Sequence, residues 1–157
     1  MDTTIRKESE KLQKTTVPSL LKFTRQWFFF DLKNQVAGRV ASKTAEILRG
    51  KNRKDFFPNS DLGSYVVVIN AQHVSFTGNN KLNNKNYYNH SGYPGGLRQR
   101  NTKTMLEKYP RELFFRIVKG MMPHTKLGNK QLKRLFIYPA AEHKHQAQEK
   151  DFIRIEI

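Results

Sequence analysis

Apolar residues along this chain fall into two kinds of block, short continuous runs and stretches with helical spacing. Trp27-Phe28-Phe29-Phe30-Asp31-Leu32 is a short aromatic run closed by the turn-like Lys33-Asn34-Gln35, and it predicts a first strand. From Val36 the period changes. Val40, Ala41, Thr44, Ala45, Ile47 and Leu48 lie three and four apart, the spacing of one helix face, while Arg39, Lys43 and Glu46 fall on the other. Gly50 is the natural stop, because glycine enters the left-handed conformation that closes a helix. Small alanines let this helix lie close on a sheet. Tyr65-Val66-Val67-Val68-Ile69-Asn70 is a continuous apolar run, which suits a strand covered on both faces, as in parallel sheets. The order strand, helix, strand predicts an α/β fold. His73 to Thr77 predicts another short strand, closed by Gly78-Asn79-Asn80.

Further on, the pattern is less regular. Residues 79–101 are rich in Asn, Gly and Tyr and read as one long ordered loop, a kind that usually carries function. Thr102 begins a helical stretch with Met105, Leu106 and Tyr109. Pro110 opens the next, with Leu113, Phe114, Ile117, Val118 and Met121 as its apolar stripe, and Pro123 ends it. Lys126 to Arg134 predicts a short basic helix or turn, and Phe136 to Tyr138 a final strand. The last eighteen residues read as a tail. Residues 1–22 are polar and lack a clear period, and Pro18 ends any early helix. They lack the apolar stretch of a secretory signal, and Asp2, Glu8 and Glu10 make them a poor organelle presequence. There is no internal repeat.

Charge changes the picture most. The chain has 157 residues, with Lys and Arg 29 against Asp and Glu 13, a formal net charge of +16. Such an excess implies a polyanionic partner, nucleic acid first and an anionic membrane surface second. Most of it lies in residues 33–57 and 80–134, flanking a nearly uncharged stretch from Gly63 to Gly78 that reads as core strands. Solubility alone needs a net charge of only about 2–8. The absence of cysteine excludes disulfides, thiolate metal sites and a cysteine nucleophile. No apolar run approaches the roughly 20 residues of a membrane helix, so no membrane span is expected.

Three constellations carry the expected chemistry. Arg39, Lys43, Lys51, Arg53 and Lys54 come from one helix face and the loop after it, and each could neutralise a phosphate; an ordinary exposed helix face is the plainer reading. Tyr88, His90 and Arg98 lie in the glycine-rich segment, where aromatic rings stack on unpaired bases and guanidinium groups pair with phosphates. The plainer reading there is a structural loop whose tyrosines fill the core. Lys119, Lys126, Lys130, Lys133 and Arg134, with His124 beside them, form the densest basic run and contain no acid. Glu142-His143-Lys144-His145 is a poor metal site, because the two histidines are only two apart and no third ligand is placed; contact of His143 with RNA or a carboxylate is the better reading. Neither a cofactor pocket nor a clustered acid pair is evident.

These residues, taken in order, resemble the universal large-subunit ribosomal proteins of the L-thirteen family, bacterial and organellar type. Trp27 to Asp31 and Gly38-Arg39-Val40-Ala41-Ser42 resemble the family's opening strand and helix start. Asp61-x-Gly63-x-Tyr65-Val66-Val67-Val68-Ile69-Asn70-Ala71 resembles its central strand. His90-Ser91-Gly92-Tyr93-Pro94-Gly95-Gly96 follows, then Val118-Lys119-Gly120-Met121-Met122-Pro123, Leu127-Gly128 and Glu142-His143-x-His145-x-Ala147-Gln148. Met122 and Gly128-Asn129-Lys130 depart from the usual wording.

The resemblance implies a three-layer α/β/α sandwich with a short, mainly parallel sheet, plus long basic loops and terminal extensions. It divides the chain into a flexible N-terminal extension over residues 1–25, an rRNA-binding domain over 26–148 and a C-terminal tail over 149–157. It implies a structural role in the large ribosomal subunit and in its early assembly. The partners would be large-subunit rRNA and neighbouring ribosomal proteins, with no cofactor, small-molecule substrate or catalysis. The wording around Gly92 is similar to mitochondrial members, which makes a mitochondrial ribosome the expectation, with plastid and bacterial cytoplasm as alternatives. An RNA-processing or RNA-modifying enzyme, and a free nucleic-acid-binding regulator, are the competing readings.

Overall fold

The computed structural model of the chain describes residues 23–78 and 80–155. Residues 1–22, the bulk of the expected N-terminal extension, lie outside the described residues. β1 (Trp27–Asp31) leads to α1 (Ala37–Arg49) and β2 (Tyr65–Ile69). A short helix α2 (Lys81–Asn84) precedes a hairpin of β3 (Asn86–His90) and β4 (Leu97–Asn101). Then come α3 (Thr102–Lys108), α4 (Pro110–Met121), α5 (Lys126–Leu132), β5 (Leu135–Ile137) and β6 (Phe152–Arg154). The main sheet has the order β5-β2-β1-β6, and all three pairings are parallel. Among the described residues no helix is long and apolar enough to cross a membrane.

Register decides which side chains meet. Phe28 pairs with Val66 and Phe30 with Val68, and these valines pair with Leu135 and Ile137, so one face of the sheet is a closed apolar surface. Against it pack Val40, Ala41 and Leu48 of α1 and Phe114 and Val118 of α4, all in one buried cluster. Val67 points to the opposite face and is also fully buried, as a continuous apolar run predicts. Gly50 closes α1 in the left-handed conformation at φ 85°, its N–H bonding the Glu46 and Ile47 carbonyls. Asn101 caps α3 through Thr104 N, and Thr125 caps α5 through Gly128 N.

The opposite face carries rings. Trp27 stacks on Tyr65 with centroids 4.4 Å apart, Phe136 lies 4.4 Å from His145, and Phe29 lies 5.3 Å from Phe152. His143 sits among Phe29, Tyr138 and Phe152. The segment after β5 folds back over this face and makes a 3-10 turn at Gln146–Asp151.

Three expectations are corrected. The stretch from His73 to Thr77 is not a strand. Asn70 turns left-handed at φ 57°, Ala71–His73 forms a 3-10 turn, and only Ser75 makes a lone bridge to Val36. The Asn- and Tyr-rich segment is a helix turn and a polar hairpin rather than an open loop. Its register runs from Asn86 opposite Asn101 to His90 opposite Leu97. A strand standing off the core needs no apolar alternation, so the pattern gave no signal. Finally, the residues read as a tail contain β6, which pairs with β1 from Trp27–Phe152 to Phe29–Arg154. Three residues are too few for periodicity to register.

Burial lowers the proton affinity of His145, His143 adds to this, and a hydrogen bond from the ring to Gln148 opposes it. The unfolded chain therefore takes up this proton first. The associated stability is full above the ordinary histidine value of about 6.5 and is lost as pH falls through that value and the lower one in the fold. Thermal melting followed by the emission of Trp27, the sole tryptophan and 5.3 Å from His145, should show a fall in melting temperature between pH 7 and 5. The fall should be smaller in His145→Leu.

Candidate nucleic-acid interface

The cations that the sequence singles out divide into exposed and internal groups. Arg39 and Lys43 lie on the solvent face of α1, opposite its buried stripe. Lys43 pairs with Glu46 at 3.0 Å, an exposed i,i+3 contact of little energetic weight. Lys51 and Lys54 are exposed in the following loop. Arg53 is half-buried, with its guanidinium 4.6 Å from the Phe23 ring centre and 3.7 Å from Asp55. Lys119, His124, Lys126, Lys130 and Lys133 are exposed. α1 packs directly against α4 and α5, which brings the two basic blocks onto neighbouring helices. Lys51 and Arg49 share a shallow cleft of about 490 Å³ with Met121 at the end of α4.

Arg134 is different, and its expected role as a phosphate ligand is corrected. It is 7% exposed and makes a forked pair with Asp61, Nη1 to Oδ2 at 2.8 Å and Nη2 to Oδ1 at 2.5 Å. Burial raises the Asp61 pKa, but the hydrogen bonds and charge of Arg134, with the charges of Arg25 and Lys130, outweigh it and hold the carboxyl below its usual range. His143 is set back as well. Its ring is half-buried in the aromatic layer and its Nδ1 is buried without a hydrogen-bond partner. The ring and its neighbour His145 are packing groups, with no metal-ligating cluster of three His, Cys, Asp or Glu among the described residues.

The hairpin carries the remaining candidates. Tyr88 and Tyr93 are 57% and 76% exposed, so these tyrosines do not fill the core. His90 and Arg98 are exposed as well. His90 Nδ1 accepts from Gly92 N–H at 2.9 Å and so shapes the turn, where Gly92 and Gly95 have positive φ. Tyr88, Gln99, His90 and Leu97 share one face by register. The hairpin is held to α4, with Arg116 donating to the Tyr88 carbonyl at 3.3 Å and Arg100 facing Glu112 at 3.6 Å. It is thus a braced projection.

Sequence reasoning missed three cations. Lys81 and Lys85 line a cleft of about 460 Å³ with Gly38, Ile117 and Met121, linking the start of α1 to the foot of the hairpin. They lie within the basic block at helical spacing, a signal that was present. Arg25 reaches Asp61 from just before β1, and only tertiary structure shows it.

A parallel α/β core with uncompensated cations on its helix face and a braced polar hairpin defines a basic α/β protein suited to polyanion contact. Within that class, the family model described as Ribosomal protein L13 matches residues 25–144, and the chain belongs to this family. It is 46% identical to the large ribosomal subunit protein uL13 of Mycoplasmopsis synoviae over 144 residues, 92% of this chain and 99% of that one. It is 46% identical to the Pelobacter propionicus uL13 over 136 residues, 87% and 95% of the two chains. The Thermotoga petrophila uL13 is 44% identical over 144 residues, 92% and 96%. These relatives are bacterial and lend no support to a mitochondrial origin. The family is one of structural, non-enzymatic ribosomal proteins.

Arg134→Ala should lower the free energy of unfolding by roughly 3–5 kcal/mol in urea melts, because it strands the buried Asp61 carboxylate. Lys133→Ala, one residue away and exposed, should stay within about 0.5 kcal/mol of the parent chain. The Asp61 contribution is full above the ordinary carboxyl value of about 4 and is lost as pH falls through it and the lower value in the fold. Acid unfolding of Arg134→Ala should therefore lose part of its steepness below about pH 4.

Proposed function

We propose that this chain is a structural constituent of the large ribosomal subunit that binds large-subunit rRNA and supports early subunit assembly. The single observation carrying this reading is the exposed cation surface on α1, α4 and α5 and their loops, in a chain that is 46% identical to a large-subunit protein. The buried core fixes the spacing of these cations, so binding needs little ordering of the protein. Each lysine acts as a point charge on a phosphate and releases a counterion. Tyr88, His90, Arg98 and His124 add shape-dependent contacts with unpaired or distorted RNA. Contacts with neighbouring ribosomal proteins complete the role. The bacterial relatives favour the bacterial cytoplasm among the compartments considered.

Sucrose-gradient fractionation of lysates tests the reading. The chain should sediment with the large subunit and remain there after a high-salt wash; recovery at the top of the gradient in low and high salt would sink the proposal. In filter binding to bacterial large-subunit rRNA transcribed in vitro, combined Lys51→Gln, Lys54→Gln, Lys119→Gln and Lys126→Gln should flatten the salt dependence. The log–log slope should fall by about one unit for each of these lysines that neutralises a phosphate.

A further inference from the structure

The rim of the sheet where β1, β2 and β5 begin holds more positive charge than its acids balance. Arg134 takes both oxygens of Asp61 in a forked pair. Two further cations converge on the same oxygen, Asp61 Oδ2: Arg25 Nη2 at 3.4 Å and Lys130 Nζ at 3.8 Å. Both distances exceed a good charge-assisted hydrogen bond. Arg25 Nη2 also donates to the Asp61 backbone carbonyl at 3.3 Å, so Asp61 orients the guanidinium through Nη2 and leaves its Nη1 and the Lys130 ammonium as donors. Arg25 is also 5.5 Å from the Phe23 ring centre, with Arg53 4.6 Å from the same ring. The acid beside Arg53 is Asp55, itself exposed and 3.7 Å away. Four cations thus face two carboxylates.

We propose that Arg25 and Lys130, with Arg53 beside them, form a seat for one backbone phosphate of RNA at this rim. This deepens the rRNA-binding reading and rests on it. The chemistry favours a phosphate diester. Arg25 Nη2 and Lys130 Nζ are roughly 7 Å apart or less, within bridging reach of one phosphate, whose oxygens accept from two directions at once. Both oxygens of Asp61 are already bonded by Arg134, and Asp55 stands exposed beside Arg53. Arg134 is then a positioning residue: it holds Asp61, and Asp61 aims Arg25 and Lys130. Arg25 is 32% exposed at its side chain and Lys130 70%, so an RNA strand reaches both without opening the fold.

Salt-dependent binding of the full chain to bacterial large-subunit rRNA transcribed in vitro tests the seat. Arg25→Gln with Lys130→Gln should weaken binding about 3- to 10-fold near 0.1 M salt and lower the log–log salt slope by about one unit. Lys130→Gln alone, at an exposed position, should show the same sign and a smaller effect; it carries the test if the double variant folds poorly. If the parent chain binds and neither variant shifts the slope, the seat is overturned and the rRNA reading stands. A loss of affinity with an unchanged slope also overturns it, since a purely structural role predicts that result. If the parent chain shows no salt-dependent rRNA binding, the rRNA reading fails first and the seat falls with it.

Discussion

The carboxylate of Asp61 ties together the beginnings of three neighbouring parallel strands. Arg25 lies just ahead of β1, Asp61 just ahead of β2 and Arg134 immediately ahead of β5. Strands that run parallel start on the same rim, so residues preceding them converge there. Desolvating such a pair costs several kcal/mol, which only good geometry and further hydrogen bonds offset. The forked Arg134 contact meets that requirement, and it is satisfied at one register of β2 against β5. Gly63 fits the same constraint. A Cβ there would collide with the Leu48 carbonyl and crowd the Arg134 guanidinium. Helix α1, the start of β2 and the ion pair therefore share one tightly packed corner.

That corner sorts the cations of the chain into two populations. Arg134 is inside and neutralised, and Arg116 is largely taken up by Glu112. The others, Arg39, Lys51, Lys54, Lys119, Lys126 and Lys133 among them, are outside with few acids near them. A net charge of +16 destabilises a compact chain by self-repulsion. The arrangement makes sense when a polyanion takes up that repulsion, which is why charge and family membership point the same way.

The two faces of the sheet are built differently. The helix face is aliphatic and phenylalanine-rich and closes on α1 and α4. The other face is a layer of aromatic and histidine rings, covered by a returning segment and not by a long helix. Flat rings fill a shallow space that a second helix layer would otherwise occupy. Their price is that His143 Nδ1 and His145 Nε2 remain buried without partners. Through His145, stability on this side depends on pH in a way the aliphatic side does not.

Much of the architecture was legible in residue order. The continuous apolar runs and the blocks of helical spacing located β1, α1, β2, α4 and the short β5, and Gly50 marked the end of α1, because those signals are local and strong. The excess of cations, their two blocks and the family-like motifs were equally legible, since composition needs no folding to be read. Tertiary structure decided the rest. The hairpin and β6 escaped because a polar projection and a three-residue edge strand carry no periodicity. Which cations are free was also hidden. Lys133 and Arg134 are adjacent and chemically alike in the sequence, yet one faces water and the other is locked to a carboxylate 73 positions away. Sequence by itself determined that this protein is a basic α/β domain with a large excess of positive charge. Only the folded chain decided which charges stay exposed, because burial and pairing are set by contacts between residues far apart in the chain.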